Sequence, residues 1–260
     1  MDKKTLLKYN GQAWNAQVAT GNKWTVSVSS EEIERARGGD FEIVLTPTKP
    51  VPSDWFPDFT KTDCKLLCLA GAGGQQGPIL AAAGADVTVF DYSDAQLEQD
   101  RKVAQRNNLD LKTVQGDMAN LSCFADQSFD LIFHPCSNTF VPDLKPVWQE
   151  AYRVLKTCGQ MLSGFTNPAR YIFDDPLLEK GEMIVAHKIP YSDLTSISKA
   201  ELQKYIDAQE PLCFGHTLTD QLQGQISAGF RITGFFEDVY ETDDVLSDHI
   251  ATFIATRSVK

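Results

Sequence analysis

The stretch from Lys65 to Asp91, KLLCLAGAGGQQGPILAAAGADVTVFD, constrains the fold of this chain more than any other. Lys65 to Ala70 is a short apolar run of the kind that forms a strand buried on both faces. Gly71, Gly73, Gly74 and Gly77 then crowd a turn, where missing Cβ atoms let backbone take positive φ and approach a ligand closely. Pro78 suits the first turn of a helix, and Ile79 to Ala83 continue in good helix formers. Gly84 stops that helix, and Asp86 to Phe90 form a second strand with Asp91 at its carboxyl end, the edge where open α/β sheets bind ligands.

The alternation continues downstream. Ser93 to Asn107 reads as a helix capped by Ser93, with Leu97, Val103 and Ala104 facing inward. Leu111 to Gln115 reads as a third strand ending at Gly116, Asp117 and Met118, and SFDLIFH as a fourth closing on His134. A helix over Pro142 to Lys156 carries Leu144, Val147, Trp148, Ala151 and Leu155 at helical spacing. Gly159 ends it, and Gln160 to Phe165 form a fifth strand. Phe230 to Tyr240 and Ile250 to Arg257 follow with no helix between them, which implies an antiparallel hairpin. The predicted fold is an α/β, Rossmann-like doubly wound sheet of seven strands, mostly parallel with an antiparallel terminal hairpin.

Two regions stand outside this rhythm. Residues 1–62 contain a helix over Lys3 to Ala19 and a second that starts at Ser29 or Ser30 with Glu31 or Glu32 and runs to Arg37. A β-like run over Phe41 to Leu45 and a proline-rich connection over Thr46 to Pro57 follow. This segment is too broken for its own core and is expected to pack on the main domain, 63–260, with a lid as one role. Residues 167–218 read as an insertion over the carboxyl edge of the sheet, with strands at Met183 to Ile189 and Leu212 to Leu218 and a helix at Ser198 to Ala208. Trp14 and Trp24 suit core packing or a lid equally. The carboxylates near Asp243, Asp244 and Asp248 read as a solvated turn without metal-ligand spacing.

Composition narrows the function. A net charge of −11 and a pI near 4.8 argue against nucleic acid or an anionic membrane as the main partner. The six cysteines include no C-x-x-C pair, several lie in apolar runs, and they read as buried reduced thiols. No signal-peptide pattern and no apolar run of about 18 residues is present, so a cytoplasmic protein without membrane insertion is expected.

A glycine turn with an acid about twenty residues on suits a ligand carrying a ribose, whose hydroxyls donate to a carboxylate. The dinucleotide fingerprint is not intact, because Gln76 stands where its third glycine belongs. LAGAGGQQG, VTVFDYS, GDM and SFDLIFHP, together with AYRVLKTCGQML and the closing hairpin, resemble in order and spacing the class I S-adenosylmethionine-dependent methyltransferases. The nearest resemblance is to small-molecule methyltransferases of the group containing the ubiquinone/menaquinone-pathway enzymes.

The resemblance implies S-adenosylmethionine as cofactor and a small-molecule methyl acceptor. It implies that Ala70, Gly71, Ala72, Gly73 and Gly74 lie against the methionine part, that Asp91 holds the ribose hydroxyls with Tyr92 beside the adenine, and that Asp117 and Met118 complete the adenine site. His134 would sit near the sulfonium. Two positions depart from the family pattern: Cys68 replaces an acid usual two residues before the first loop glycine, and Ala70 replaces that glycine, so Gln75 or Gln76 are expected to share the contacts. His134, His187 and His216 are the candidate bases. Each also reads as an ordinary structural histidine, as Asp91 reads as a helix cap and Asp117 as a turn residue. A nicotinamide-dependent oxidoreductase and a non-catalytic cofactor-binding protein of the same fold are the alternative readings.

Overall fold

The computed structural model describes residues 1–240 and 244–260. Its centre is a sheet built from β1 (Lys65–Leu69), β2 (Asp86–Asp91), β3 (Leu111–Gln115), β4 (Phe129–His134), β5 (Leu155–Thr166), β8 (Arg231–Asp238) and β9 (Phe253–Val259). The spatial order is β3-β2-β1-β4-β5-β9-β8. The first five strands pair in parallel, while β9 runs antiparallel to both β5 and β8. Strand order reverses between β1 and β4, so the loops leaving their carboxyl ends diverge and open a crevice.

Helices cover both faces because alternate side chains of each buried strand point to opposite sides. Leu66, Cys68, Val87, Val89, Leu131 and Phe133 form one core with residues of α2 (Ser30–Arg37), α3 (Gln76–Ala82) and α4 (Asp94–Asn107), among them Ile33, Leu80, Leu97 and Val103. Leu67, Leu69, Phe90, Ile132 and Met161 form the other, against Val147, Trp148, Ala151 and Val154 of α5 (Lys145–Val154). Local signals set the helix ends. Ser93 accepts from the Gln96 amide at the start of α4, and Ser29 and Glu32 form a reciprocal capping box on α2.

The amino-terminal segment lies on both the sheet and the insertion. In α1 (Lys3–Thr20), Asn10 donates to the carbonyls of Phe140 and Leu212 and accepts from the Leu212 amide. Phe56 stacks on Phe133, and Trp55 packs on Phe236. The backbone at Leu45 passes so close to β5 that a Cβ on Gly164 would stand 2.2 Å from the Leu45 carbonyl oxygen.

Several sequence expectations fail here for identifiable reasons. Phe41 to Leu45 forms no strand, only a single bridge from Val44 to Pro50, because the prolines that follow cannot donate to a ladder. In the insertion, Met183 to Ile189 yields one bridge, Phe173 to Val185, and leaves Met183, Ile184 and Val185 exposed. Leu212 to Leu218 shrinks to β7 (Phe214–Gly215), paired with β6 (Tyr191–Ser192). The insertion helices are α6 (Asp175–Leu178) and α7 (Lys199–Asp207), and a π-helical turn at Thr219–Gln223 leads into α8 (Gly224–Ala228). β5 starts at Leu155 rather than after Gly159, absorbing the irregularity as a register shift opposite Phe129 and Leu131. Asp243 lies outside the described residues. Asp244 is not a solvated turn carboxylate: it pairs with Arg170 at 2.9 Å and is largely buried.

Gly164→Ala tests the seating of the amino-terminal segment. The added methyl meets backbone rather than a movable side-chain tip, so the unfolding free energy should fall by about 1–3 kcal/mol, seen as a lower urea midpoint with the slope unchanged. An unaltered midpoint would mean that Leu45 does not lie where the structure has it.

Candidate functional site

The site is built on the turn after β1. The Ala70 amide donates to the Phe90 carbonyl at 2.7 Å, continuing the β1–β2 pairing by one residue. Ala70 then turns into the left-handed region at φ 48°, a conformation that favours glycine, which explains why a glycine suits this position in the family pattern. Gly73 and Gly74 follow at φ 130° and 74°. Their backbone folds back over α4, where the Gly73 amide donates to Asp100 Oδ2 at 2.9 Å. The Ser137 hydroxyl donates to the Ala70 carbonyl at 2.8 Å and ties the turn to the loop after β4.

Two acids stand beside it at strand ends. Asp91 closes β2, accepting from the Ser93 amide at 2.9 Å and more weakly from the Ala72 amide at 3.4 Å. Burial pushes its carboxyl up to about 6. The cap of α4 is Ser93, which leaves Asp91 turned toward the crevice. Asp117, past the end of β3, accepts from the Ala119 amide at 2.9 Å, as a turn residue does, and still lines the crevice. Gly116 sits against Phe90, where a Cβ would be 2.2 Å from the ring, so the β3 loop can close on β2 only with glycine there.

Of the residues singled out in the sequence, Ala70, Gly71, Ala72, Gln75, Gln76, Asp91, Tyr92, Asp117 and Met118 line one cleft of about 1280 Å³, part of it open to solvent. Gly73 and Gly74 do not line it; they form the back of the turn. Gln75 spends its amide on the Lys23 and Val26 carbonyls and so latches the amino-terminal segment.

The histidines lie elsewhere than expected. His134 is fully buried, with Nδ1 2.8 Å from the Leu69 carbonyl and Nε2 2.8 Å from Asn138 Oδ1. Burial holds its pKa below the usual histidine value, and it faces the core beside Trp148 instead of the cleft. His216 Nε2 lies between the Asn138 and Val141 carbonyls, so it donates to backbone and braces the loop after β4. His187 packs on the Tyr191 ring in the insertion. None of the three lines the cleft, and the base role expected for them has no support in this geometry.

What sequence reasoning missed comes from outside the motif strands. Gly11 of α1 lets Tyr92 pack directly against the helix, a Cβ there falling 2.5 Å from the ring. Trp14 meets Phe140 edge-on at 5.2 Å, and Tyr240 stacks on Phe253 at 5.7 Å. With Trp24, Leu45 and Val141 these rings wall the half of the cleft over β4, β5 and β9. Gln96 also lines the cleft although it is buried, and its Oε1 has no protein partner. Trp14 and Trp24 were the only sequence signal of this wall. The other members are brought together by tertiary packing. The described residues contain no group of three or more His, Cys, Asp or Glu placed to hold a metal ion.

A family model described as "Methyltransferase domain" matches residues 67–163. The chain is 52% identical over 255 residues, 98% of each protein, to the uncharacterized methyltransferase YbaJ of Bacillus subtilis. It is 35% identical to the sterol 24-C-methyltransferase erg-4 of Neurospora crassa over 102 residues, 38% of this chain and 27% of that protein. Among solved structures, an S-adenosylmethionine-dependent methyltransferase from Mesorhizobium loti superposes with a TM-score of 0.57 at 16% identity, covering 80% of this chain and 94% of that one. A geranyl diphosphate methyltransferase solved with S-adenosylmethionine gives 0.51 at 16% identity, covering 76% and 78%.

Two acids beside the turn, Asp100 fully buried and Asp91 half-buried at the cleft, make stability pH-dependent. Asp91 and Asp100 are raised, chiefly by burial, to about 6 and about 7. The folded state therefore holds their protons more tightly than the unfolded chain, and their contribution to stability falls as pH rises from about 4 to about 7. Each tenfold difference in proton affinity is worth about 1.4 kcal/mol at most. Between about pH 5 and about pH 8 the thermal midpoint of the ligand-free protein should fall more steeply than that of Asp91→Asn/Asp100→Asn. Parallel slopes would contradict the desolvation of these groups.

Proposed function

This chain belongs to the class I S-adenosylmethionine-dependent methyltransferases, and we propose that it methylates an uncharged, largely apolar small molecule. The observation that carries this reading is the division of one cleft. Its described carboxylates, Asp91 and Asp117, stand at the ends of β2 and β3, whereas the half over β4, β5 and β9 is walled by Trp14, Phe140, Tyr240 and Phe253. The two halves meet where Gly71 touches Pro135, with room for a Cβ only 3.0 Å from that ring.

The residues fit the cofactor. Asp91 accepts only backbone N–H bonds, so its carboxylate retains lone pairs for two ribose hydroxyls. Asp117 and Met118 would hold the adenine, Ala70 to Ala72 the methionine part, and the orphaned Gln96 Oε1 has need of a donor. When bound, S-adenosylmethionine supplies an electrophilic methyl group on a sulfonium. The chain's own part is to hold an acceptor in line and to exclude water with its aromatic wall, a contribution that can reach ~7–11 kcal/mol. With His134, His187 and His216 engaged elsewhere, none of them serves as base. The acceptor atom is then one that reacts without transferring a proton to imidazole.

The nicotinamide reading gives way to the family assignment. No described helix is long and apolar enough to cross a membrane. Cys64 and Cys68 are buried, as expected of thiols in apolar runs, whereas Cys123, in a turn, and Cys158, in the irregular start of β5, are exposed because both stand outside the core.

Titration calorimetry with S-adenosylhomocysteine tests the cofactor half: the protein should bind, and Asp91→Ala should weaken binding by about tenfold or more, the loss of a charged hydrogen-bond acceptor. Transfer of labelled methyl to a mixed panel tests the acceptor half. Labelling of uncharged aromatic or aliphatic compounds is expected, whereas labelling confined to phosphorylated or carboxylated compounds would overturn that choice.

A further inference from the structure

The sequence departs from the family at Cys68, where an acid usually stands, and the structure holds a buried carboxylate that this departure does not explain. Asp100, on the inner face of α4, is completely excluded from solvent. Its Oδ2 accepts from the Gly73 amide at 2.9 Å, and its Oδ1 has no partner. Around it stand the Cys68 thiol from β1, the Asp91 carboxylate from β2, and Gly77 at the start of α3, whose added Cβ would lie 3.3 Å from Oδ1. An ionisable group placed there for stability alone would be a poor choice, since a buried carboxylate is costly and an apolar side chain of similar size would fill the space.

We infer that Asp100 is the positioning residue of the cofactor turn, supplying from α4 the carboxylate that this chain lacks on β1. The inference rests on the methyltransferase reading and adds to it the group that shapes the loop. The Gly73 N–H turns away from the cleft toward Asp100, and Gly74 lies against the α4 backbone at Gln99. Anchoring the Gly73 amide from behind fixes the direction in which Ala70, Gly71 and Ala72 face the cleft. Cys68 shares the face of β1 that points at α4, since it belongs to the same core as Leu97 and Val103. A carboxylate at 68 could therefore reach the same turn. Gln96, one turn earlier on the same helix face, stands beside Gly73 with its Oε1 3.0 Å from where a Cβ would be. Two acceptors of α4 thus flank a turn that a side chain at 73 would block.

Three proteins separate this role from a structural one: wild type, Asp100→Asn, and Asp100→Asn with Cys68→Asp. The readouts are S-adenosylhomocysteine affinity by calorimetry and the thermal midpoint of the ligand-free protein. At about pH 8, Asp100→Asn should bind about tenfold more weakly, while its midpoint stays level or rises because a buried charge has been removed. Adding Cys68→Asp should recover affinity to within about threefold of wild type, the remainder reflecting imperfect geometry. Lowering the pH toward about 6 should weaken binding in wild type more than in Asp100→Asn, since protonation weakens Asp100 as an acceptor for the Gly73 amide. Unchanged affinity in Asp100→Asn, or a loss matched by a falling midpoint and the same pH profile as wild type, would overturn the inference. Absence of binding in wild type would instead remove the methyltransferase reading beneath it.

Discussion

The structure depends on the contest between desolvated carboxylates, one buried and one half-buried, and backbone amides at the end of β1. Asp91 and Asp100 are both lifted well above the ordinary aspartate range by burial, and each is held by the amides of the same turn. The turn needs left-handed backbone at Ala70 and Gly74 and an unusual φ at Gly73, conformations that do not persist without such anchors. From that turn follow the direction of α3, the approach of the β4 loop through Ser137, and the latch on the amino-terminal segment through Gln75.

Much of this was legible in the sequence because it is local or periodic. The glycine turn, the Ser93 cap, the Ser29–Glu32 capping box and the inward set Leu97, Val103 and Ala104 are each decided within a few residues of themselves. The seven-strand sheet followed from alternating apolar strands and helices, and its antiparallel end from two strands without a helix between them. Periodicity failed where an apolar run had no partner to pair with, as at Met183 to Val185, which stay exposed.

The cleft was legible by halves for the same reason. Asp91 and Asp117 sit at strand ends that motifs announce. The aromatic wall is assembled by contacts across long separations, such as Trp14 on Phe140 and Gly11 on Tyr92, and no spacing rule reveals them. The histidines misled because their chemistry was visible while their partners were not. His134 is satisfied by a carbonyl 65 residues away and by Asn138, which leaves it nothing to do in the cleft. Asp100 gave no signal at all, since an acid inside an amphipathic helix ordinarily faces water.

The same division shapes the chemistry. Among the described residues, the carboxylates that line the cleft lie in the half that would hold a cationic cofactor, and the opposite half is walled mainly by rings and aliphatic surface, with Lys23 and Arg170 set over the Tyr240 ring. A crystal of the protein grown with S-adenosylhomocysteine tests this most directly. Density for the ribose hydroxyls within hydrogen-bond distance of the Asp91 carboxylate, with the sulfur directed at the wall formed by Phe140 and Tyr240, is the expected result. Ligand bound elsewhere, or a ribose with no contact to Asp91, would contradict it.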